Sequence, residues 1–156
     1  MTDSSKLLAD ALVRIKSHLP ESDDLTLIVL KGHLILEEEI NALLSDLVEN
    51  EKPLIKARFS FAQRLALIEA HVSRKEAQSL NLNAAGKLNS LRNELAHNLS
   101  SDKLEKRLSD FLQSIERLED SDALREYSFS KRLKLGIVTV CATFTGRRAA
   151  ALESQQ

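Results

Sequence analysis

The chain has 156 residues, 43% hydrophobic and 29% charged, which are the proportions of one folded domain rather than a disordered segment. A formal net charge of −1 excludes a strongly basic nucleic-acid or membrane-surface protein, so any binding of nucleic acid must rest on a local patch. A single cysteine, Cys141, excludes an internal disulfide and a cysteine zinc cluster.

Four glycines, two prolines and 4% aromatic residues, among many Leu, Ala, Glu, Lys and Arg, favour helices over sheets. The first helix is predicted over Ser4 to Leu19, with Leu8, Leu12 and Ile15 on one face and Pro20 as its stop. Ser22 or Asp23 can cap a second helix running to about Glu49. Its apolar stripe is read as Leu27, Leu30, Leu34, Ile40, Leu43 and Leu47. Asn50-Glu51-Lys52-Pro53 reads as a loop. A third helix follows near Arg58 to Val72, with Phe61, Leu65 and Ile68 on one side; Phe59 and Phe61 are expected in the core. Ser73 to Glu76 has capping-box spacing and predicts a short helix. Asn81 or Asn83 starts the next, which carries Leu88, Leu91 and Leu95 and ends near His97-Asn98.

Asp102 and Glu105 suggest another start, before an amphipathic run through Leu104, Leu108, Phe111, Leu112, Ile115 and Leu118. The last segment, Asp122 to Ala151, contains β-branched Gly136-Ile137-Val138-Thr139-Val140. A lone strand would have no partner, so this too is read as helix. Cys141 lies in that apolar run, where a buried, inert thiol is expected. The run Leu135 to Phe144 is too short to span a membrane. With no charged-then-apolar leader pattern at the N-terminus, a cytoplasmic location is expected.

The four histidines, His18, His33, His71 and His97, show no zinc spacing, and no metal or cofactor is expected. There is no glycine-rich phosphate loop, no GxSxG and no Cys-His pattern. What remains is Arg92-Asn93-Glu94-Leu95-Ala96-His97, an Arg and a His with four residues between them at the end of a leucine-rich helix. This resembles the Rx4H motif of the HEPN superfamily, and Asn93 strengthens the match. Lys31 to Glu37 and Ser60 to Arg64 also look like small bacterial relatives of that superfamily. The resemblance implies an all-α fold over 1–156, a single HEPN-like bundle of four to five main helices plus a short one. It also implies a homodimer in which the motif helices meet. Many such proteins cleave RNA without a metal, as toxins or in phage defence, with an antitoxin or regulatory protein as partner. Others, in a branch resembling the mannitol-operon regulator, bind partners without catalysis.

The residue types suit metal-free RNA cleavage. Histidine titrates near neutrality and can serve as general acid or base. A guanidinium is permanently charged and forks onto phosphate oxygens. Arg92 is therefore expected to hold the scissile phosphate, His97 to move protons, and Asn93 to position substrate or the histidine. The spacing complicates this, because five residues on a straight helix turn ~500°, leaving Arg92 and His97 ~140° apart. Either the helix unwinds after Leu95, or a dimer assembles a composite site from two chains.

Glu37 sits on the stripe of Leu30, Leu34 and Ile40, where a carboxylate needs a partner. Arg92 or Arg64 could supply it, with Glu37 expected to orient Arg92 and His33 joining one turn earlier. Ordinary explanations exist for each residue: a cationic helix end for Arg92 and His97, a structural salt bridge for Glu37, and solvated faces for Arg64, Lys56, Arg58 and Lys87. Arg147 and Arg148 are read as a helix-end cation pair.

Overall fold

A computed structural model of the chain describes residues 3–97, 103–115, 124 and 126–153. Among these the protein is all-α and carries eight helices. They are α1 (Asp3–His18), α2 (Leu25–Leu47), α3 (Lys52–Ala57), α4 (Phe61–His71), α5 (Arg74–Ser79), α6 (Leu82–His97), α7 (Leu104–Gln113) and α8 (Phe129–Glu153). No helix is long and apolar enough to cross a membrane among these residues.

Local chemistry sets most of the boundaries. α4 and α5 each begin with a full capping box, Ser60 with Gln63 and Ser73 with Glu76, in which side chain and backbone satisfy each other's first-turn donors. Asn81 takes a left-handed conformation at φ 50° immediately before α6. The cap of α2 is Asp24, whose Oδ1 accepts from Leu27 N at 3.0 Å, and not Ser22 or Asp23. Asp23 is drawn away to the start of α8, where it accepts from Ser130 Oγ at 2.5 Å. The predicted loop at Lys52-Pro53 is the start of α3: proline is tolerated in a first turn because its missing N–H would have no partner there. Arg58, at φ 50°, ends α3, so the predicted helix from Arg58 begins instead at Phe61.

The β-branched run Gly136 to Val140 is helical, inside α8. The predicted start of this last segment at Asp122, the cap at Asp102, the end at Asn98 and the apolar position Leu118 lie outside the described residues.

α8 is the central element, packed along α1 and α2, with α7 touching it as well. α2 is parallel to it: Asp23, Glu39 and Asp46 meet Ser130, Thr145 and Arg148 in turn. α4 and α6 cover the other side of α2. The core joins Ile28, Leu36, Ile40, Leu43, Ile68, Leu88, Leu91, Phe111, Ile137 and Phe144, all fully or almost fully buried. Each such side chain contributes about 1.5–3 kcal/mol by leaving water. Cys141 is buried here, and burial, followed by the nearby Glu39 charge, pushes its thiol far above the ordinary range, so it is inert. Arg147 and Arg148 do not merely decorate a helix end: they pair with Glu76 at 2.8 Å and Asp46 at 2.6 Å, tying α8 to α5 and α2.

The α2 stripe differs from its sequence reading. Ile40 and Leu43 are buried as expected, but Leu27, Leu30 and Leu34 are exposed. The buried surface comprises Ile28, Val29, Gly32, His33, Ile35, Leu36, Glu39, Ile40, Leu43 and Leu44. α2 is apolar almost all round, and α8 on one side with α4 and α6 on the other decide which residues are covered.

Gly32 marks the close approach of α2 and α8. A Cβ there would stand 2.5 Å from Ile137 Cδ1 and 3.0 Å from its Cγ2, and Ile137 is itself fully buried. Gly32→Ala is therefore expected to lower stability by about 1–2 kcal/mol, overpacking outweighing the gain of about 1 kcal/mol in helix propensity. Thermal unfolding checks this, and an unchanged or raised midpoint would mean the two helices separate freely.

Candidate functional site

α6 is an unbroken helix through His97. The unwinding after Leu95 that would bring Arg92 and His97 onto one face does not occur. Leu88 and Leu91 anchor the helix in the core, leaving Arg92, Asn93 and His97 exposed. Asn93 and His97, four residues apart, share one ridge and are exposed. Arg92 Nη1 donates to Asn93 Oδ1 at 3.1 Å.

The α2 side of α6 is built around His33. This residue is buried, with Nε2 3.0 Å from Asn89 Oδ1 and its ring centroid 4.9 Å from that of Phe61. Because the Asn89 oxygen can only accept, Nε2 is the protonated nitrogen. Burial pushes the His33 pKa below its ordinary value; the Asn89 bond and the Glu37 charge pull upward, while Arg92 and Arg64 add to the lowering. His33 is thus held neutral, within the field of Arg92.

Glu37 does not orient Arg92. Its Oε1 accepts from Arg64 Nη1 at 2.8 Å, the same nitrogen lies 3.0 Å from Asn41 Oδ1, and Arg64 Nε donates to the Phe59 carbonyl at 3.0 Å. Arg64 lies in the first turn of α4, where its Nη1 reaches Glu37 and Asn41 of α2 while Nε is held by the Phe59 carbonyl. The two form a clasp between α2 and α4. Phe61 is core as expected, whereas Phe59 is half-buried and lines a cavity with Leu54, Ile55, Arg58 and Arg64.

The fold therefore brings His33, Glu37 and Arg64 together on the α2–α4–α6 seam, while Asn93 and His97 continue the Asn89 ridge of α6 into solvent with Arg92 exposed beside them. Sequence reasoning missed Asn89. Its signal was positional: it lies one turn before Asn93 on the same helix. Among the described residues no cluster of three or more His, Cys, Asp and Glu side chains could hold a metal ion. No family model, curated protein or solved structure matches the chain.

The state of His33 makes stability depend on pH. The folded pKa is lowered, so the unfolded chain binds the extra proton first, below its ordinary value of about 6.5. The contribution is complete above that pH and is lost as pH falls from there through the folded value. His33→Gln, which can still donate to Asn89 without titrating, is expected to flatten this acid-side loss. Unfolding midpoints measured between neutral and mildly acidic pH test it; parallel curves for wild type and variant would remove His33 as the cause.

Proposed function

We propose that the protein is a metal-independent endoribonuclease of HEPN type, with a composite site at a homodimer seam and a toxin or defence role in the cytoplasm. Arg92 binds and stabilises the scissile phosphate, His97 is the general acid and base, and Asn93 positions the histidine or the substrate. His33 supports from behind α6, while Glu37 and Arg64 hold α2 against α4.

The observation that carries this reading is the continuity of α6. Arg92 and His97 are both exposed, yet ~140° apart on a straight helix, so one chain alone does not aim them at one phosphate. Two chains related by a two-fold axis supply arginine and histidine from both sides. Two histidines also allow separate acid and base roles.

The leucines of α2 support the second copy. Leu27, Leu30 and Leu34 are 37%, 37% and 60% exposed, on the ridge next to His33 and hence beside α6. An apolar ridge of this kind suits an isologous contact. Leu34→Asp is expected to yield a monomer by sedimentation velocity and to abolish RNA cleavage with it. A monomeric variant that still cleaves RNA would exclude the composite site.

The direct test is cleavage of varied RNAs in EDTA by wild type and His97→Ala. Cleavage lost in the variant places the chemistry at His97, whereas equal cleavage places it elsewhere. The same exposed leucines favour a second reading, a non-catalytic module of this fold that docks a regulatory protein. Absence of cleavage by wild type across varied RNAs would select it.

A further inference from the structure

The side of α6 turned away from Asn89 faces α7. The two helices run antiparallel: Lys87 Nζ donates to the Asp110 carbonyl at 3.0 Å, and Arg107 pairs with Glu94 at 3.0 Å. Between them lies a groove of about 380 Å³ lined by Lys87, Ser90, Lys103, Lys106, Arg107 and Asp110. Four cations against the carboxylates of Asp110 and Glu94 leave a local excess of positive charge in a chain whose net charge is −1. It is the kind of local patch that a near-neutral protein needs in order to hold a polyanion.

The groove also leads to the candidate site. Arg107 stands opposite Glu94, one turn short of His97. One further turn back along α7 brings Lys103 level with the His97 end of α6. Lys87 and Arg107 are already steadied by Asp110 and Glu94, which pre-orients part of the cationic wall and reduces the cost of ordering it on binding. Among the described residues no aromatic side chain lines the groove, so these residues offer charge and donors to phosphates but no platform for bases.

We propose that the α6–α7 groove binds the phosphodiester backbone of single-stranded RNA flanking the bond presented to His97, independently of base sequence. The identity of the strand rests on the ribonuclease reading above; the anionic backbone as ligand rests on the groove itself.

The test is fluorescence anisotropy with a short 2′-O-methyl RNA, which cannot be cleaved through its 2′-oxygen, in EDTA over a range of salt. The Lys103→Glu/Lys106→Glu variant is compared with Lys6→Glu/Lys16→Glu on α1, which packs on α8 and α2 away from the groove. The groove variant is expected to bind about tenfold or more weakly at low salt, with the salt slope reduced by about 1.4 for two lost contacts. The α1 variant should stay within about twofold of wild type, since uncontacted surface charges are screened.

Lys103→Gln/Lys106→Gln, which removes charge without reversing it, should show an intermediate loss. Far-ultraviolet circular dichroism confirms that each variant is folded. Groove variants binding as tightly as the α1 variant, or wild type binding no RNA, would overturn the proposal. Cleavage of unmodified RNA, run in parallel, separates the two readings: binding through the groove without any cleavage refutes the ribonuclease and leaves the groove standing.

Discussion

Arg14→Leu is expected to lower the unfolding free energy by about 3–5 kcal/mol, a large part of the stability of a domain this size. Glu39 is the reason. Its side chain is 3% exposed at the meeting of α1, α2 and α8, where it pairs with Arg14 and accepts from Thr145 Oγ1 at 2.6 Å. Removing the guanidinium leaves a buried carboxylate with one hydroxyl for company, which must either stay charged at high cost or take up a proton. Glu39→Leu should be milder, because Arg14 is 39% exposed and keeps Glu38 at 2.7 Å and water as partners. The double variant Arg14→Leu/Glu39→Leu is expected to recover most of the loss, since replacing both members of a buried pair by apolar side chains is often neutral or stabilising. Denaturant unfolding of wild type, both single variants and the double variant measures the coupling. An Arg14→Leu cost below about 0.5 kcal/mol, the range of ordinary surface substitutions, would mean the carboxylate is solvated after all.

The second large effect concerns activity. On the proposed ribonuclease reading, His97→Ala is expected to reduce RNA cleavage by about 10²–10⁴-fold, the usual contribution of a positioned general acid or base. Stability should barely change, because His97 is exposed at the end of α6 and supports no core contact. Arg92→Lys separates charge from geometry: an ammonium keeps the positive charge but loses the fork that grips two phosphate oxygens. A lysine variant with wild-type cleavage would reduce Arg92 to a point charge. A His97→Ala protein that is inactive but also unfolded would point to a structural role, so cleavage and thermal unfolding are measured on the same preparations.

Wherever the physics is local, the chain declared its structure openly. The capping box at Ser73 lies within four residues, and the start of α6 follows from Asn81. The Gly136 to Val140 run shows how little propensity decides alone. β-branched residues cost a helix a few tenths of a kcal/mol each, and burial of Ile137 and Val140 against the bundle outweighs that. The exposure of Arg92, Asn93 and His97 came only with the structure, which buries Leu88 and Leu91 of the same helix in the core.

α2 resisted such reading for a physical reason. Leu27, Ile28, Val29 and Leu30 occupy consecutive positions and cover the full turn, so periodicity alone offers no preferred face. A carboxylate at Glu37 and another at Glu39 look alike in sequence, yet one is clasped at the surface by Arg64 and the other is buried under Arg14. The arginines arrive from 27 and 25 residues away, a separation that no local pattern encodes.

By itself, then, the sequence determined an all-α chain, the capping box that starts α5 and the buried cysteine, because each follows from composition or from neighbours within a turn or two. Only the tertiary structure decided which face of α2 is buried, which arginine answers which glutamate, and that four cations on α6 and α7 line one groove, because each depends on helices brought together by burial of a shared core.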